Sequence, residues 1–307
     1  MIFKEDKYRR NIYENFAKLA KYNTLKWLIA HGIEGYPSQI GRDLDIACDG
    51  DKHTSLAISL FIDAAKENPA TKWIIMPNPI WGKRVLAISD NYEVAELHIL
   101  QKMVSGLISL TPDFDNFQYI QGIFPVNETV TTFKSLTMSM LGGSKKVIDR
   151  INEQIFNTLP TCLQQIYLKI KANKDISIID KIKVYTYYTK SPVTMIENLL
   201  YTIIKKIKSY SSPTTPIIYI TNISNDNLKI LKNDLGEIFL DILIGDNMSK
   251  KQIKYNQARQ RLILLTKQRK DIKIDAEFDT ITLCIYPELL DIFAEYNKIY
   301  YNDEFTA

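Results

Sequence analysis

Cysteine and histidine are scarce in this sequence, with three of each in 307 residues. Cys48, Cys162 and Cys284 lie far apart and match neither a disulfide framework nor the spacing of a zinc or redox motif. A sparse and odd set of cysteines is typical of a reducing compartment, so we expect a cytoplasmic protein. No local motif suggests a Ser/His/Asp or Cys/His nucleophile.

Long apolar runs and a strong charge of one sign are also absent. No run approaches the roughly 18 apolar residues that span a bilayer, and residues 1–16 are charged without an apolar signal core. We therefore expect no transmembrane segment. The formal net charge of +4 does not predict a nucleic-acid partner. What is present is 46 % hydrophobic and 24 % charged residues, the balance of a globular protein with room for two domains.

The spacing of apolar residues predicts an α/β (α+β) fold, with a mixed sheet, a following helical region and a smaller α/β unit. A Ser/Thr/Pro cluster, SYSSPTTP (209–216), is typical of a linker. We divide the chain into domains 1–126, 127–210 and 211–307. Predicted strands cover 24–32, 42–48, 71–77, 83–89, 93–100, 216–223 and 237–244. Predicted helices cover 6–22, 52–67, 127–141, 145–158, 160–173, 193–209, 225–234 and 248–268, and the chain is expected to be mostly helical between Gly106 and the linker.

Asp43 and Asp45 form the motif with the clearest chemical meaning. Two acids separated by one residue on a strand point to the same face and offer oxygen ligands to a hard cation such as Mg²⁺. Two such ions can activate an attacking hydroxyl and stabilise a leaving pyrophosphate. The loop upstream contains Gly35, Ser38 and Gly41, and small residues of this kind let phosphates approach backbone N–H groups. An isolated acid pair is more often a solvated strand edge, so the surrounding pattern decides the interpretation.

That surrounding pattern, TLKWLIAHGIE followed by GYPSQIGRDLDI (35–46), resembles the start of a polymerase-β-type nucleotidyltransferase domain. It is similar more narrowly to nucleotidyltransferase-like proteins of bacterial surface-polysaccharide gene clusters. The resemblance implies that domain 1–126 is nucleotidyltransferase-like and that Asp43 and Asp45 bind Mg²⁺ or Mn²⁺. It also implies that Gly35, Ser38, Gly41 and Arg42 line the triphosphate site of an NTP substrate.

The resemblance implies a third carboxylate on a later strand, where it helps to deprotonate the acceptor hydroxyl. The matching strand is EVAELHIL (93–100), on which Glu96 and His98 share a face. We assign the catalytic position to Glu96, and the alternative is that His98 occupies it.

Two further residues near this motif have alternative interpretations. Arg84, at the start of a predicted strand, is assigned to the triphosphate, and a solvated strand end is the plainer explanation. His31 ends the first predicted strand and is interpreted as a surface or capping residue rather than a phosphate ligand.

The C-terminal unit resembles a P-loop kinase-like domain in its layout, in which a basic helix, a linker and an apolar strand follow one another. TNISNDN (221–227) stands where the phosphate loop would be, and it contains neither glycine nor the Lys–Ser/Thr pair. The unit is therefore either a degenerate P-loop domain or an unrelated α/β cap. Its basic stretch (251–273) is predicted to be the solvated face of a helix, with peripheral contact to anionic lipid or glycan as the alternative.

Two functions follow. The first is a Mg²⁺-dependent nucleotidyltransferase that moves a nucleoside monophosphate from an NTP to a small-molecule or glycan acceptor, in surface-polysaccharide biosynthesis. The second is a non-catalytic nucleotide-binding or scaffold protein with a degenerate transferase fold.

Overall fold

The chain divides into two compact units, which are residues 1–68 with 95–203, and residues 69–94 with 204–307. The computed structural model describes residues 7–31, 36, 40–41, 43–67, 70–78, 82–89, 93–100, 103–105, 108–140, 145–189, 191–211, 215–221, 224, 226, 229, 241–258 and 261–278. These two units cut across the predicted three domains, whose boundaries stay a prediction.

The chain contains both helices and strands and builds a mixed sheet, so the predicted mixed α/β class is confirmed. The helices are α1 (Lys7–Tyr22), α2 (Gly50–Lys66), α3 (Glu128–Met140), a 3-10 helix (Lys145–Arg150), α4 (Glu153–Thr158), α5 (Thr161–Lys171), α6 (Ile178–Thr189), α7 (Pro192–Ser211) and α8 (Lys250–Ala258). The strands are β1 (Trp27–His31), β2 (Asp43–Cys48), β3 (Ala70–Asn78), β4 (Gly82–Ser89), β5 (Val94–Leu100), β6 (Met103–Ser105), β7 (Ile108–Leu110), β8 (Gln118–Ile120), β9 (Phe124–Val126), β10 (Ile217–Ile220), β11 (Asp241–Ile244), β12 (Arg261–Leu265) and β13 (Ala276–Phe278).

The sheet of the first unit is mixed, with strands in the order β5-β2-β1-β9-β8. Strand β2 is antiparallel to β1 and parallel to β5, while β1 is parallel to β9 and β9 antiparallel to β8. Strand β2, which carries the two acids, is therefore paired on both sides, between β5 and β1.

One face of the sheet is covered by α1 and α2. The apolar stripe of α1 is buried as its spacing predicts, and Phe16 packs edge-on against Trp27 at 5.1 Å and Phe61 at 5.9 Å between ring centroids. Burial of such a stripe contributes far more to helix stability than intrinsic propensity. The prediction of helices over 6–22 and 52–67 is confirmed.

The opposite face is covered by the helical region that begins with α3. Phe133 and Leu136 of α3 join one apolar cluster with Leu28 and Ala47 of the sheet and with residues of α5 and α6. This face also carries the polar residues of the candidate site, because Asp43 and Asp45 lie two residues apart and on the side of Ala47.

The chain after Gly106 is mostly helical, as predicted, but the short strands β7, β8 and β9 precede α3 and were not predicted. The single helix predicted over 145–158 is a 3-10 helix and α4, because Asn152 interrupts it and caps α4 by accepting a hydrogen bond from Ile155 N at 2.9 Å. Helix α6 was not predicted, since its Ile, Val, Thr and Tyr residues have low helix propensity.

The second unit contains the antiparallel hairpin of β3 and β4 and a four-stranded sheet in the order β11-β12-β10-β13, whose strands are parallel. The predicted helix over 248–268 is wrong beyond Ala258, because Arg261–Leu265 forms the buried strand β12. A short apolar run is ambiguous between helix and strand until its partners are known. Most of the helix predicted near 225–234 lies outside the described residues.

Candidate functional site

Strand pairing brings together the acids that the sequence separates by about fifty positions. In the parallel pair of β2 and β5, Asp43 lies opposite Glu96 and Asp45 opposite His98. Residues opposed in this way share a face, so all four side chains occur on the side of the sheet that faces α3. The pairing thus places Glu96, rather than His98, beside Asp43.

A fifth polar residue reaches this face through a β-bulge in β1. Ile29 pairs with Ile46, but His31 pairs with Asp45, so the register shifts by one residue between them. Strict alternation would have put His31 on the face of Ile29, and the extra residue, Ala30, turns it to the face of Asp45. His31 is half-buried and its ring is bonded to Arg150, a contact that the sequence did not indicate, and its interpretation as a surface or capping residue stays a prediction.

Asp45 is buried and held by two cationic or hydrogen-donating groups. Its Oδ1 lies 2.8 Å from His98 Nδ1, and its Oδ2 lies 3.4 Å from Lys134 Nζ. Burial alone would raise the pKa of Asp45, but the Lys134 ammonium and the hydrogen bond from His98 outweigh it and lower the pKa. Asp45 is therefore an anion at neutral pH.

The contact with Asp45 also fixes the His98 ring. An ionised carboxylate can only accept, so the hydrogen is on His98 Nδ1, and in the neutral ring Nε2 carries the lone pair. His98 Nε2 is buried and has no hydrogen-bond partner among the residues that the structure describes. A carboxylate that orients an imidazole in this way is the arrangement of a base or a ligand.

Asp43 has the opposite electrostatic surroundings. Burial raises the pKa of Asp43, and the nearby Asp45 and Glu96 carboxylates raise it further. Glu96 is itself only 5 % exposed. Its backbone is fixed by the Tyr13 hydroxyl, which donates to Glu96 O and accepts from Glu96 N, both at 3.0 Å. The fold thus holds three carboxylates close together although they repel one another.

The donors at this site fit a metal ion that arrives with a nucleotide better than a preformed cage. Across the described parts of the chain, no group of three or more His, Cys, Asp or Glu side chains is arranged to hold a metal. Mg²⁺, however, commonly uses one or two carboxylates together with substrate phosphates. Asp43 fits this role, whereas Asp45 would bind the ion only if the ion replaced Lys134 as its partner.

The remaining predicted site residues are distributed as follows. Gly35, Ser38 and Arg42 lie outside the described residues, and Gly41 is half-buried just before β2. Arg84 belongs to the second unit and is only 2 % exposed, so its interpretation as a solvated strand end is wrong. Its assignment to the triphosphate stays a prediction.

Sequence reasoning missed Lys134 and Arg150. Lys134 lies among the buried α3 residues Thr132, Phe133, Ser135 and Leu136. A lysine in such a segment is a usable signal, because a charge is rarely placed there without a partner. Arg150 gave no comparable signal, since its contact with His31 joins residues 119 positions apart.

No protein-family model matches this chain, and no curated protein has a similar sequence. The resemblance to nucleotidyltransferases therefore stays a prediction. In the described part of the chain, no helix has both the length and the apolar character that crossing a bilayer requires.

Proposed function

We propose that this chain is a Mg²⁺-dependent nucleotidyltransferase that transfers a nucleoside monophosphate from an NTP to a small acceptor. The observation that carries the proposal is the cluster of Asp43, Asp45 and Glu96 on one face of adjacent strands, with the pKa of Asp43 raised by the other two. Buried carboxylates that repel one another cost stability, and perturbed groups of this kind are concentrated at functional sites.

Each residue of the cluster has a separate role in this proposal. Asp43 would hold the ion together with the NTP phosphates, and the bound ion would neutralise phosphate charge during in-line displacement. Asp45 stays ionised and orients His98, and Glu96 receives the proton of the acceptor hydroxyl. The acceptor oxygen bonds to the α-phosphorus, the bond from that phosphorus to the bridging oxygen breaks, and pyrophosphate leaves with the electron pair.

The cellular setting is also part of the proposal. Cys48 and Cys162 are free thiols, which fits a reducing compartment such as the cytoplasm. The acceptor that we propose is a precursor of a surface polysaccharide, a hydroxyl-bearing small molecule or glycan.

The test is calorimetric titration of ATP, CTP, GTP and UTP with Mg²⁺, paired with a pyrophosphate-release assay. We expect saturable binding of one nucleotide that is lost in the Asp43→Asn/Asp45→Asn double variant. Pyrophosphate release should fall roughly 10³-fold in Asp43→Asn, the size expected for loss of one group that stabilises transition-state charge.

Asp63→Asn is the matched control, because Asp63 is an exposed acid on α2 paired with Lys66 at 3.4 Å. It should bind and turn over nucleotide like the wild type. The proposal fails if the wild type neither binds an NTP nor releases pyrophosphate with any acceptor tried.

A non-catalytic nucleotide-binding or scaffold protein is the second candidate, and the contact of Lys134 with Asp45 favours it. An ammonium group there supplies the positive charge that a metal would otherwise bring. This candidate predicts nucleotide binding that does not depend on Mg²⁺ and no release of pyrophosphate.

A further inference from the structure

The first unit contains a cavity of about 650 Å³ beside the carboxylate cluster. It lies between the end of β1, the hairpin of β8 and β9, the start of α3 and the segment 149–155. Cavities that bind small molecules measure roughly 300–1,000 Å³. The volume is therefore sufficient for a ligand of the size of a nucleotide or a phosphorylated sugar.

Both apolar and polar residues line this cavity. Ala30, Val126 and Ile155 provide apolar surface, while Gln118, Asn152 and Gln154 provide amide groups. A side-chain amide both donates and accepts hydrogen bonds, so it suits the hydroxyl groups of a sugar, which do the same. Apolar walls with a few convergent polar groups are typical of sites for specific small ligands.

Arg150 supplies positive charge to the cavity. Its Nη2 lies 2.7 Å from His31 Nε2, and because a guanidinium cannot accept, His31 Nε2 accepts and carries no hydrogen. His31 therefore helps to orient Arg150. Asp149, an acid of the same wall, is paired with Lys171 at 2.5 Å. A planar guanidinium held in this way suits a phosphate or carboxylate of the ligand.

Glu128 is the other acid in the wall, and it begins α3. An acid in the first turn of a helix is stabilised by the helix dipole. Its carboxylate can accept hydrogen bonds from ligand hydroxyls, as amide oxygens do. The wall thus contains acceptors for hydroxyl groups and a guanidinium for an anion.

The cavity is next to the carboxylates through His31. His31 lines the cavity and, because of the bulge in β1, lies directly opposite Asp45. Directly opposed residues of antiparallel strands have Cα atoms about 4.5–5.5 Å apart. A ligand that contacts His31 is therefore one strand away from Asp45.

We propose that this cavity binds the acceptor substrate, a sugar phosphate whose anionic group contacts Arg150 and whose hydroxyls contact the amide groups and Glu128. This inference rests on the proposed nucleotidyl transfer, because it assigns the acceptor of that reaction. The oxygen of one hydroxyl of the bound sugar bonds to the α-phosphorus. Its proton goes to Glu96, and pyrophosphate leaves with the electron pair.

The experiment measures binding without nucleotide or Mg²⁺, so that it does not depend on catalysis. Glucose 1-phosphate, glucose and inorganic phosphate are each titrated into the wild type, Arg150→Gln and Arg261→Lys. Arg261 is the matched control, since it lies in the second unit and donates to Asn256 Oδ1 at 3.0 Å. We expect glucose 1-phosphate to bind at least tenfold more tightly than the other two probes, and Arg150→Gln to weaken it by roughly 10- to 100-fold.

A second measurement uses the wild type alone, in case Arg150→Gln does not fold. Because the chain has three histidines, protein labelled with ¹⁵N at histidine gives a simple spectrum. Glucose 1-phosphate should shift the ring signals of His31 and leave those of His53 unchanged. His53 is a suitable reference because it lies on α2 and accepts from Lys26 N at 3.2 Å.

The outcomes separate this inference from the proposed function. Binding that is weakened in Arg150→Gln and retained in Asp43→Asn supports the acceptor site, even if no NTP is turned over. Equal affinity for inorganic phosphate and glucose 1-phosphate overturns the assignment to a sugar phosphate. An unshifted His31 signal overturns the site, whereas the proposed function would survive if pyrophosphate were still released with another acceptor.

Discussion

Asp43 in the first unit and Asp246 in the second are both half-buried, yet the electrostatic surroundings of the two carboxylates differ in sign. Asp246 accepts hydrogen bonds from Thr266 N at 2.8 Å, Lys267 N at 3.1 Å and the Thr266 hydroxyl. Burial opposes ionisation of Asp246, but these hydrogen bonds outweigh it and its pKa is lowered. Asp43 instead faces Asp45 and Glu96, and its pKa is raised.

The difference shows which acid stabilises the fold. A carboxylate that accepts backbone N–H bonds is stabilised as an anion, and Asp246 in this way links the end of β11 to the residues that follow β12. A carboxylate placed among other carboxylates destabilises the folded chain. A carboxylate whose charge is stabilised by hydrogen bonds from its neighbours indicates a structural role. A carboxylate that other carboxylates repel in a buried cluster indicates a functional one.

The largest expected effect on stability comes from removing the cation of the cluster. Lys134→Met leaves the buried Asp45 without its ammonium partner, so the free energy of unfolding should fall by about 3 kcal/mol. Urea denaturation at pH 7 measures this loss. Mg²⁺ should restore part of the stability if Asp45 can bind the ion once Lys134 is gone.

Lys66→Met is the matched control for that experiment. Lys66 pairs with Asp63 at the surface, where both side chains are about half exposed, at 55 % and 51 %. Surface pairs contribute little, so this variant should unfold like the wild type. If both substitutions changed the free energy of unfolding equally, the contact between Lys134 and Asp45 would contribute no more to stability than a surface pair.

A smaller loss is expected at the structural acid. Asp246→Ala removes the acceptor of two backbone N–H groups and one hydroxyl, and should lower the free energy of unfolding by about 2 kcal/mol. Denaturation monitored by hydrogen exchange of the Thr266 and Lys267 amides measures it locally. Unchanged protection of these amides would contradict the role of Asp246 in linking the end of β11 to the residues after β12. Nucleotide binding at the first unit should be unaffected.

The smallest expected change in the free energy of unfolding is an increase rather than a decrease. Asp43→Asn removes one of three repelling charges and should raise the free energy of unfolding by about 1 kcal/mol at pH 7, whereas the proposed function predicts that it lowers turnover. Urea denaturation across a pH series tests the sign. A raised pKa in the folded chain means that ionised Asp43 costs stability as pH rises through that pKa.

The advantage of Asn at position 43 should therefore be present at neutral pH and shrink as the pH falls towards the ordinary value of 3.8. Asp246 behaves in reverse, because its lowered pKa gives stability that is present above 3.8 and lost as pH falls through the folded pKa. Loss of stability in Asp43→Asn at pH 7 would contradict the repulsion on which the proposed function rests.

The strands and helices with strong periodicity were predictable from the sequence. Helix α1, strand β2 and strand β5 follow their apolar patterns, and the pattern of β2 placed Asp43 and Asp45 on one face. The short strands after Gly106 and strand β12 were not predictable, because three to five residues carry too little periodic signal. Their strand character comes from partners that are distant in the sequence.

Local sequence also left the third carboxylate undecided between Glu96 and His98. These residues share a face, and only the register of β5 against β2 places Glu96 beside Asp43 and His98 beside Asp45. The same limit applies to His31, whose position depends on a bulge that strict alternation does not predict.

By itself, the sequence determined the α/β class and the pair of acids on one strand, because both depend on residues close together in the chain and on fixed periods of 2 and 3.6 residues. Only the tertiary structure decided what surrounds that pair. Glu96 and His98 of β5, Lys134 of α3 and Arg150 of the 3-10 helix reach the site through strand register and helix packing. Electrostatic environment depends on distances in space, so the partners of Asp45 became known only when the chain was folded.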